Sequence, residues 1–237
     1  MRRAGQVVRE VLELVQGLVQ PGATTLDLEK AAEARTKELG ARPAFKGYHG
    51  FPCCLCTSIN SEVVHGIPSA KRVLKEGEIV SVDFGAFVDG YCGDAAITVP
   101  VGTKIDPKTA QLVEVTEASL DAAIAAVKPG ARLGDVGFAV QKVVEAAGFS
   151  VVRDFVGHGI GVHMHEDPQV PNFGEAGRGM KLRSGMVIAI EPMVNAGKAD
   201  VVVLGDGWTA VTKDGSMSAH FEHTVAVTAT GARILTE

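Results

Sequence analysis

Two aspartates in one short stretch carry the first chemical signal. Ser81-Val-Asp83-Phe-Gly-Ala-Phe-Val-Asp89-Gly90-Tyr-Cys-Gly-Asp94 sets acids among apolar residues, with Asp89-Gly90 as a two-residue turn signal between them. With those two residues as the tip, Asp83 stands opposite position 96. Asp94 then lies on the same face, one diagonal step away, because side chains alternate with period two. Carboxylates on an otherwise apolar face are costly unless something positive pairs with them, and no Lys or Arg occurs between Lys75 and Lys104. A metal ion is the partner this pattern implies.

The sequence repeats the pattern once. A shift of 108 residues places Pro21-Gly22-Ala23 on Pro129-Gly130-Ala131, Asp27 on Asp135, Gly40 on Gly148, Gly77 on Gly185 and Asp83 on Glu191. Asp94-Ala-Ala-Ile-Thr-Val also resembles Glu222-His-Thr-Val-Ala-Val, with a longer insert. One offset shared by several features in the same order marks a duplication. Under a pseudo-twofold axis Asp83 pairs with Glu191 and Asp94 with Glu222. Four carboxylates then converge on one pocket, joined by His158 from the Gly-rich turn Gly157-His158-Gly-Ile-Gly161.

Two unit charges roughly 4 Å apart repel by about 4 kcal/mol at an effective dielectric near 20, so either some acids are protonated or cations compensate. Two divalent ions balance four carboxylates, leave His158 as a neutral ligand and leave room for a bridging water. Such a pair, about 3.5–4 Å apart, lowers the pKa of that water and holds a carbonyl beside it. Oxygen ligands with one imidazole and no thiolate suit Mn, Fe(II) or Co over a thiolate-rich zinc site.

His65, before Gly66-Ile-Pro68, and His165, before Glu166-Asp-Pro168, are candidates for donating to a substrate carbonyl or a tetrahedral oxyanion. His49, His163, His220 and His223 read as ordinary histidines. The glycines around His158 do not keep G-x-G-x-x-G spacing and bring no basic residue, which argues against a phosphate loop. Cys53, Cys54, Cys56 and Cys92 lack the second ligand pair of a structural zinc site and read as buried packing thiols.

Each half supplies two helices and then strands to position these residues. Residues 4–20 carry Val7, Val8, Val11, Leu12, Val15, Leu18 and Val19 at helical spacing. Thr24 or Thr25 caps a second helix that runs to about Leu39 and stops at Gly40. Pro107 opens a third helix to about Lys128, and a fourth runs from about Leu133 to Ala147. Strand patterns fall at 54–60, 78–87, 91–99, 151–156, 186–194, 200–204, 207–212 and 219–228. The expected fold is α+β: one domain, 1–237, with halves of approximately 1–105 and 106–237 sharing one curved antiparallel sheet, helices on the outer face.

A net charge of −5 and 46% hydrophobic residues give no bulk electrostatic case for nucleic acid. Glu10 and Glu13 interrupt the apolar run after Met1-Arg-Arg, unlike a secretory signal. No segment reaches about 18 uncharged apolar residues. A cytoplasmic protein with no membrane partner is expected.

At these residues the sequence resembles the type I methionine aminopeptidases, nearly end to end. The motifs are Tyr48-His-Gly-Phe-Pro52, Ser58-Ile-Asn60, His65-Gly-Ile-Pro68, Val82-Asp83, Gly93-Asp94, Gly157-His158-Gly-Ile-Gly161, His165-Glu-Asp-Pro-Gln-Val170, Ile190-Glu191-Pro-Met-Val-Asn195 and Phe221-Glu222-His223-Thr224. The resemblance implies the pita-bread α+β fold and removal of initiator methionine before a small second residue. It assigns Asp83, Asp94 and Glu222 to one metal, and Asp94, His158, Glu191 and Glu222 to the other, the ions being Co, Mn, Fe(II) or Zn. A hydroxide bridging them would attack the carbonyl. His165 would bond that carbonyl, His65 would lie near the reacting amide, and Glu191 would shuttle the proton.

By the same resemblance the methionine pocket is Tyr48, Phe51, Cys56, Met164 and Trp208, next to His65 and His165, while Asn60 and Ser218 lie near a monovalent cation. The partners implied are nascent chain N-termini at the ribosome, met by a monomer. Met164 stands where the family often has an aromatic residue, and Val162-His163 replaces small residues; both departures concern the pocket and not the metal ligands. The short stretches between His158, Glu191 and Glu222 leave no room for the helical insert of type II enzymes.

Two rivals remain open. An X-Pro peptidase of the same fold would cleave Ala-Pro rather than Met-Ala substrates, and a catalytically inactive binding protein would fail to bind metal.

Overall fold

The computed structural model describes residues 1–237. Helices α1 (Arg2–Leu18) and α2 (Thr25–Glu38) precede a long hairpin, Ile79–Val88 with Tyr91–Pro100. Helices α3 (Pro107–Ala126) and α4 (Leu133–Ala146) precede its counterpart, Val187–Ile190 with Glu222–Val227. Local chemistry sets the helix starts. Thr24 caps α2 while the Asp27 carboxylate accepts the Thr24 N–H at 2.9 Å. Asp106 caps α3, with Pro107 in its first turn, and the Asp135 carboxylate accepts the Arg132 N–H at 2.7 Å ahead of α4.

The hairpin keeps the expected register, with Asp83 opposite Ala96 and Asp94 opposite Gly85. At its tip Asp89 and Gly90 have φ of 50° and 82°, the two left-handed residues that a type I′ turn needs. The main sheet has nine strands. Its order is Arg42–Pro43, Ile79–Val88, Tyr91–Pro100, Glu222–Val227, Val187–Ile190, Gly157–Gly159 and Glu166–Val170, with Leu55–Ile59 and Ala232–Ile234 as side branches. Each pairing is antiparallel.

The duplication is visible in backbone bonds. Gly22 N–H donates to Leu74 O at 2.9 Å, and Gly130 N–H to Leu182 O at 3.0 Å. Gly77 N–H donates to Val101 O at 3.0 Å, and Gly185 N–H to Val227 O at 2.9 Å. Thr24 bridges to Val73 as Arg132 bridges to Lys181.

Each half builds its own core. Val80, Val82, Phe84, Ala95 and Val99 pack with Val8, Val11, Val15 and Leu28 of α1 and α2. Ile188, Ile190, Val225 and Val227 pack with Leu112, Leu120, Val136 and Val140 of α3 and α4. Because side chains alternate along a strand, Asp83, Asp94, Glu191 and Glu222 all turn to the face away from the helices.

Five expectations need correction. The strand read at 186–194 breaks at Glu191-Pro192, and the one at 219–228 breaks at Phe221. Proline has no N–H to continue a ladder, and past the breaks Met193–Asn195 and Ser218–His220 pair with each other in a separate three-stranded sheet. A third sheet joins Glu62–Val64, Val201–Val203 and Ala210–Thr212, so the strands do not all share one sheet. The strand read at 151–156 is only Ser150–Val151, and His158 sits on its own short strand rather than in a turn.

The glycines beside His158 have a packing role. A Cβ at Gly157 would lie 2.3 Å from Ala189 O, and one at Gly159 would lie 2.2 Å from Asp167 O, so the flanking strands approach as only glycine permits. Overpacking of this kind costs about 1–3 kcal/mol. Gly157→Ala should lower the unfolding free energy by that amount, seen as a lower urea midpoint, and weaken metal binding through a displaced His158. A wild-type midpoint would show that the seam has slack.

Candidate active site

The two halves meet at the central strand pair, where Glu222 lies opposite Ala96 and His223 opposite Ala95. Threonines clamp this seam from both sides. Thr224 Oγ1 donates to Asp94 O at 2.7 Å and accepts the Asp94 N–H at 3.0 Å. Thr98 Oγ1 donates to His220 O at 2.7 Å and accepts the His220 N–H at 2.9 Å. Asp94 and Glu222 are thereby held rigidly across the seam.

The four predicted acids and His158 line one cavity of about 260 Å³. Ligand atoms of Asp94, His158 and Glu222 all lie within 4.8 Å of one another, and these three residues are buried at 3%, 8% and 2% exposure. Asp83 and Glu191 flank them in the same cavity. Asp83 Oδ1, Asp94 Oδ1 and Glu222 Oε1 are buried with no hydrogen-bond partner. Buried acceptors are almost always paired, so these orphaned oxygens, lining one cavity, fit a cation.

Protonation states agree. Burial first, then the Asp83 and Glu191 charges, push the Asp94 carboxyl well above its ordinary range. Burial and the Asp94 and Glu191 charges do the same to Glu222. Asp83 and Glu191 are also raised, chiefly by burial. His158 is lowered to about 4 by burial and by His165, so its imidazole is neutral. Its Nδ1–H donates to Gly159 O at 2.9 Å, which leaves the Nε2 lone pair free, 3.6 Å from Glu191 Oε1. A second nitrogen fixed this way is the usual support of a metal-bound histidine.

His165 stacks edge-on to His158 with ring centroids 4.3 Å apart, and its Nδ1 is bonded to Tyr48 Oη at 2.7 Å. His65 also lines the cavity, against Phe155 at 5.5 Å between ring centroids. Its φ of 61° is unusual for a residue other than glycine. Burial lowers its pKa to about 4.

The apolar wall is Phe51, Cys56, Met164 and Trp208, with Phe51 and Trp208 packed edge to face at 5.1 Å. Cys53, Cys54, Cys56 and Cys92 are free thiols, and none joins a metal-ligand cluster. Ser218 N–H donates to Asn60 O at 2.8 Å. The Asn60 side chain is engaged with Glu78 and the Ile79 N–H.

Two lining residues escaped the sequence reading, Phe45 and His49. Phe45 occupies space left by Gly85, where a Cβ would fall 2.9 Å from its ring and 3.1 Å from Asp94 Oδ1. That glycine, directly across from an acid, was the available signal. His49 sits against Tyr48 with ring centroids 4.3 Å apart.

The sequence matches metallopeptidase family M24 over residues 1–229. The chain belongs to metallopeptidase family M24. Methionine aminopeptidase A of Synechocystis sp. is 55% identical over 236 residues, covering 100% of this chain and 93% of the relative. The crystal structure of a Thermotoga maritima methionine aminopeptidase superposes with a TM-score of 0.98 at 52% identity, covering 100% of this chain and 95% of its own. A prolidase from Pyrococcus horikoshii reaches a TM-score of 0.79 at 23% identity and covers 100% of this chain and 60% of its own, a likeness of fold alone. The M24 fold here is the pita-bread α+β arrangement. No helix of it is long and apolar enough to cross a membrane.

The M24 acid cluster makes stability depend on pH. The raised acids hold more protons in the folded metal-free chain than in the unfolded one, so stability falls as pH rises through their folded values. The buried histidines act oppositely, because His65 and His158 are lowered from 6.5 to about 4. Their contribution is complete above pH 6.5 and is lost only below it. Chelator-treated protein should therefore melt at falling temperature as pH rises above 6.5, where the raised carboxyls still hold protons that the unfolded chain has lost. A saturating divalent ion should remove the slope. A Tm that holds or rises over that range without metal would contradict the assignment.

Proposed function

We propose that this chain is a methionine aminopeptidase that removes the initiator methionine from nascent proteins and peptides, preferring a small second residue. The observation that carries the proposal is the junction of two surfaces in one cavity: a floor of four acids, Asp94 and Glu222 buried and Asp83 and Glu191 half-buried, with a neutral imidazole, and a wall of Phe51, Cys56, Met164 and Trp208. The floor suits divalent ions. The wall suits an unbranched thioether, since Met164 adapts its own shape and sulfur packs well against aromatic rings.

Asp83, Asp94 and Glu222 would hold one ion, and Asp94, His158, Glu191 and Glu222 a second, of Co, Mn, Fe(II) or Zn. Bound there, such ions supply an acidified water and a Lewis acid. The chain's own residues do the rest. With Tyr48 Oη donating to Nδ1, His165 carries its proton on Nε2 and donates it to the substrate carbonyl as negative charge develops. Partial desolvation lowers the His165 pKa, which favours a neutral donor beside the metal floor. His65 lies beside the reacting amide. Glu191 would shuttle a proton from the attacking water to the leaving nitrogen. The apolar wall excludes water and fixes the methionine side chain.

The proposal extends to a cytoplasmic monomer of one catalytic domain that meets nascent chains at the ribosome. It keeps Asn60 and Ser218 as a monovalent-cation position.

Chelator-stripped protein titrated with Mn, Fe(II), Co and Zn should release methionine from Met-Ala-Ser but nothing from Lys-Ala-Ser or Ala-Pro. Cleavage of Ala-Pro would move the assignment to the X-Pro peptidases, and silence with every metal would leave a binding protein. Asp94→Ala should abolish turnover. His165→Ala should lower kcat by about 10²–10³, the usual effect of losing one oxyanion donor, and retained wild-type kcat would remove His165 from the mechanism.

A further inference from the structure

A recess beside the methionine pocket shares two of its walls and carries positive charge. It holds about 440 Å³, and its lining includes Arg42, Lys46, Tyr48, Phe87, His163 and Met164. Tyr48 and Met164 also line the central cavity, so an extended chain leaving that cavity across them enters the recess.

The Arg42 guanidinium lies over the Phe87 ring, 4.3 Å from its centroid, and has no carboxylate partner. Its backbone is paired with Phe87 across the sheet edge, which fixes its position. Lys46 pairs with Glu33 but keeps donors to spare, since an ammonium has three. A different recess, sharing His158 and His165 with the central cavity, is lined by Glu166, Asp167 and Gln169. The two ways out of the site therefore differ in sign.

Resting on the aminopeptidase reading above, we propose that the recess at Arg42 and Lys46 binds an acidic side chain of the substrate's own polypeptide, downstream of its second residue. An unpaired guanidinium presents a planar fork suited to a carboxylate, and the Phe87 ring beneath it gives the methylenes of a glutamate an apolar surface. Each extended residue advances a chain by about 3.3–3.6 Å, and the two spaces share walls, so the acid falls at positions three to five. The chain is thus selective beyond methionine and its small neighbour.

The test compares Met-Ala-Ser-Ser-Ser-Ser with peptides carrying one Glu at position three, four or five, at low ionic strength. The reference is neutral because a lysine peptide could turn to the acidic recess. At one position Glu should raise kcat/KM by about threefold, the scale of one partly exposed ion pair, and high salt should erase the gain. Arg42→Gln should bring the ratio to one, and Arg42→Glu should push it below one. A ratio of one at every position in the wild type would overturn the proposal, as would a gain that survives in both Arg42→Glu and Lys46→Glu.

Failure of the aminopeptidase reading would show differently, as no methionine release from the neutral peptide. In that case fluorescence anisotropy of the labelled peptides makes the same comparison: tighter binding of a Glu peptide that Arg42→Glu removes supports the recess, and equal binding overturns it.

Discussion

Acidic side chains drawn onto one poorly solvated floor repel each other, and much of this fold works to hold them there against that repulsion. Asp94 and Glu222 are seated across the central seam, where Thr224 and Thr98 clamp the backbones on either side through paired donor and acceptor bonds. Asp83 and Glu191 sit one strand further out, at equivalent places in the two halves. The oxygens left without partners are what a site looks like when its geometry is set by the backbone rather than by the ligand. Preorganisation of this sort lets a cation bind without first rearranging the chain.

The histidines complement the acids. His158 is buried and the more exposed His165 packs edge to face against it; desolvation lowers the pKa of both, which favours neutral rings. In the proposed mechanism one offers a lone pair to the floor, and the other donates toward the substrate. The same burial supplies selectivity, since Phe51, Met164 and Trp208 close one side of the cavity with apolar surface. In the proposed reading, metal chemistry and methionine recognition use neighbouring but different residues, so Met164 can depart from the aromatic that the resemblance leads one to expect without touching the floor.

Much of this was legible in the sequence because it rests on short-range periodicity. Four helices, the Thr24 cap, the Asp89-Gly90 tip and the Asp83–Ala96 register all follow from local pattern. The convergence of Asp83, Asp94, Glu191 and Glu222 followed from the 108-residue offset and the Asp94–Glu222 match beyond its longer insert, because related halves must place related residues on related faces. What escaped depends on contacts distant in sequence. The breaks at Glu191-Pro192 and Phe221 come from strands leaving one sheet for another, and apolar alternation continues straight through them. The glycines around His158 suggested a turn, but they allow strands to close on a backbone carbonyl. Phe45 and His49 reach the cavity from a loop with no periodicity to reveal them.

The central claim is that the floor is held partly protonated until a cation replaces those protons. Calorimetric titration of metal-free protein with Mn at pH 7, repeated in buffers of different ionisation enthalpy, measures it directly. The account predicts that binding displaces protons, at least one per chain, and that Glu222→Gln releases fewer. Metal binding with no proton displaced would mean that the four acids already coexist as anions, and the electrostatic account of the site would be wrong.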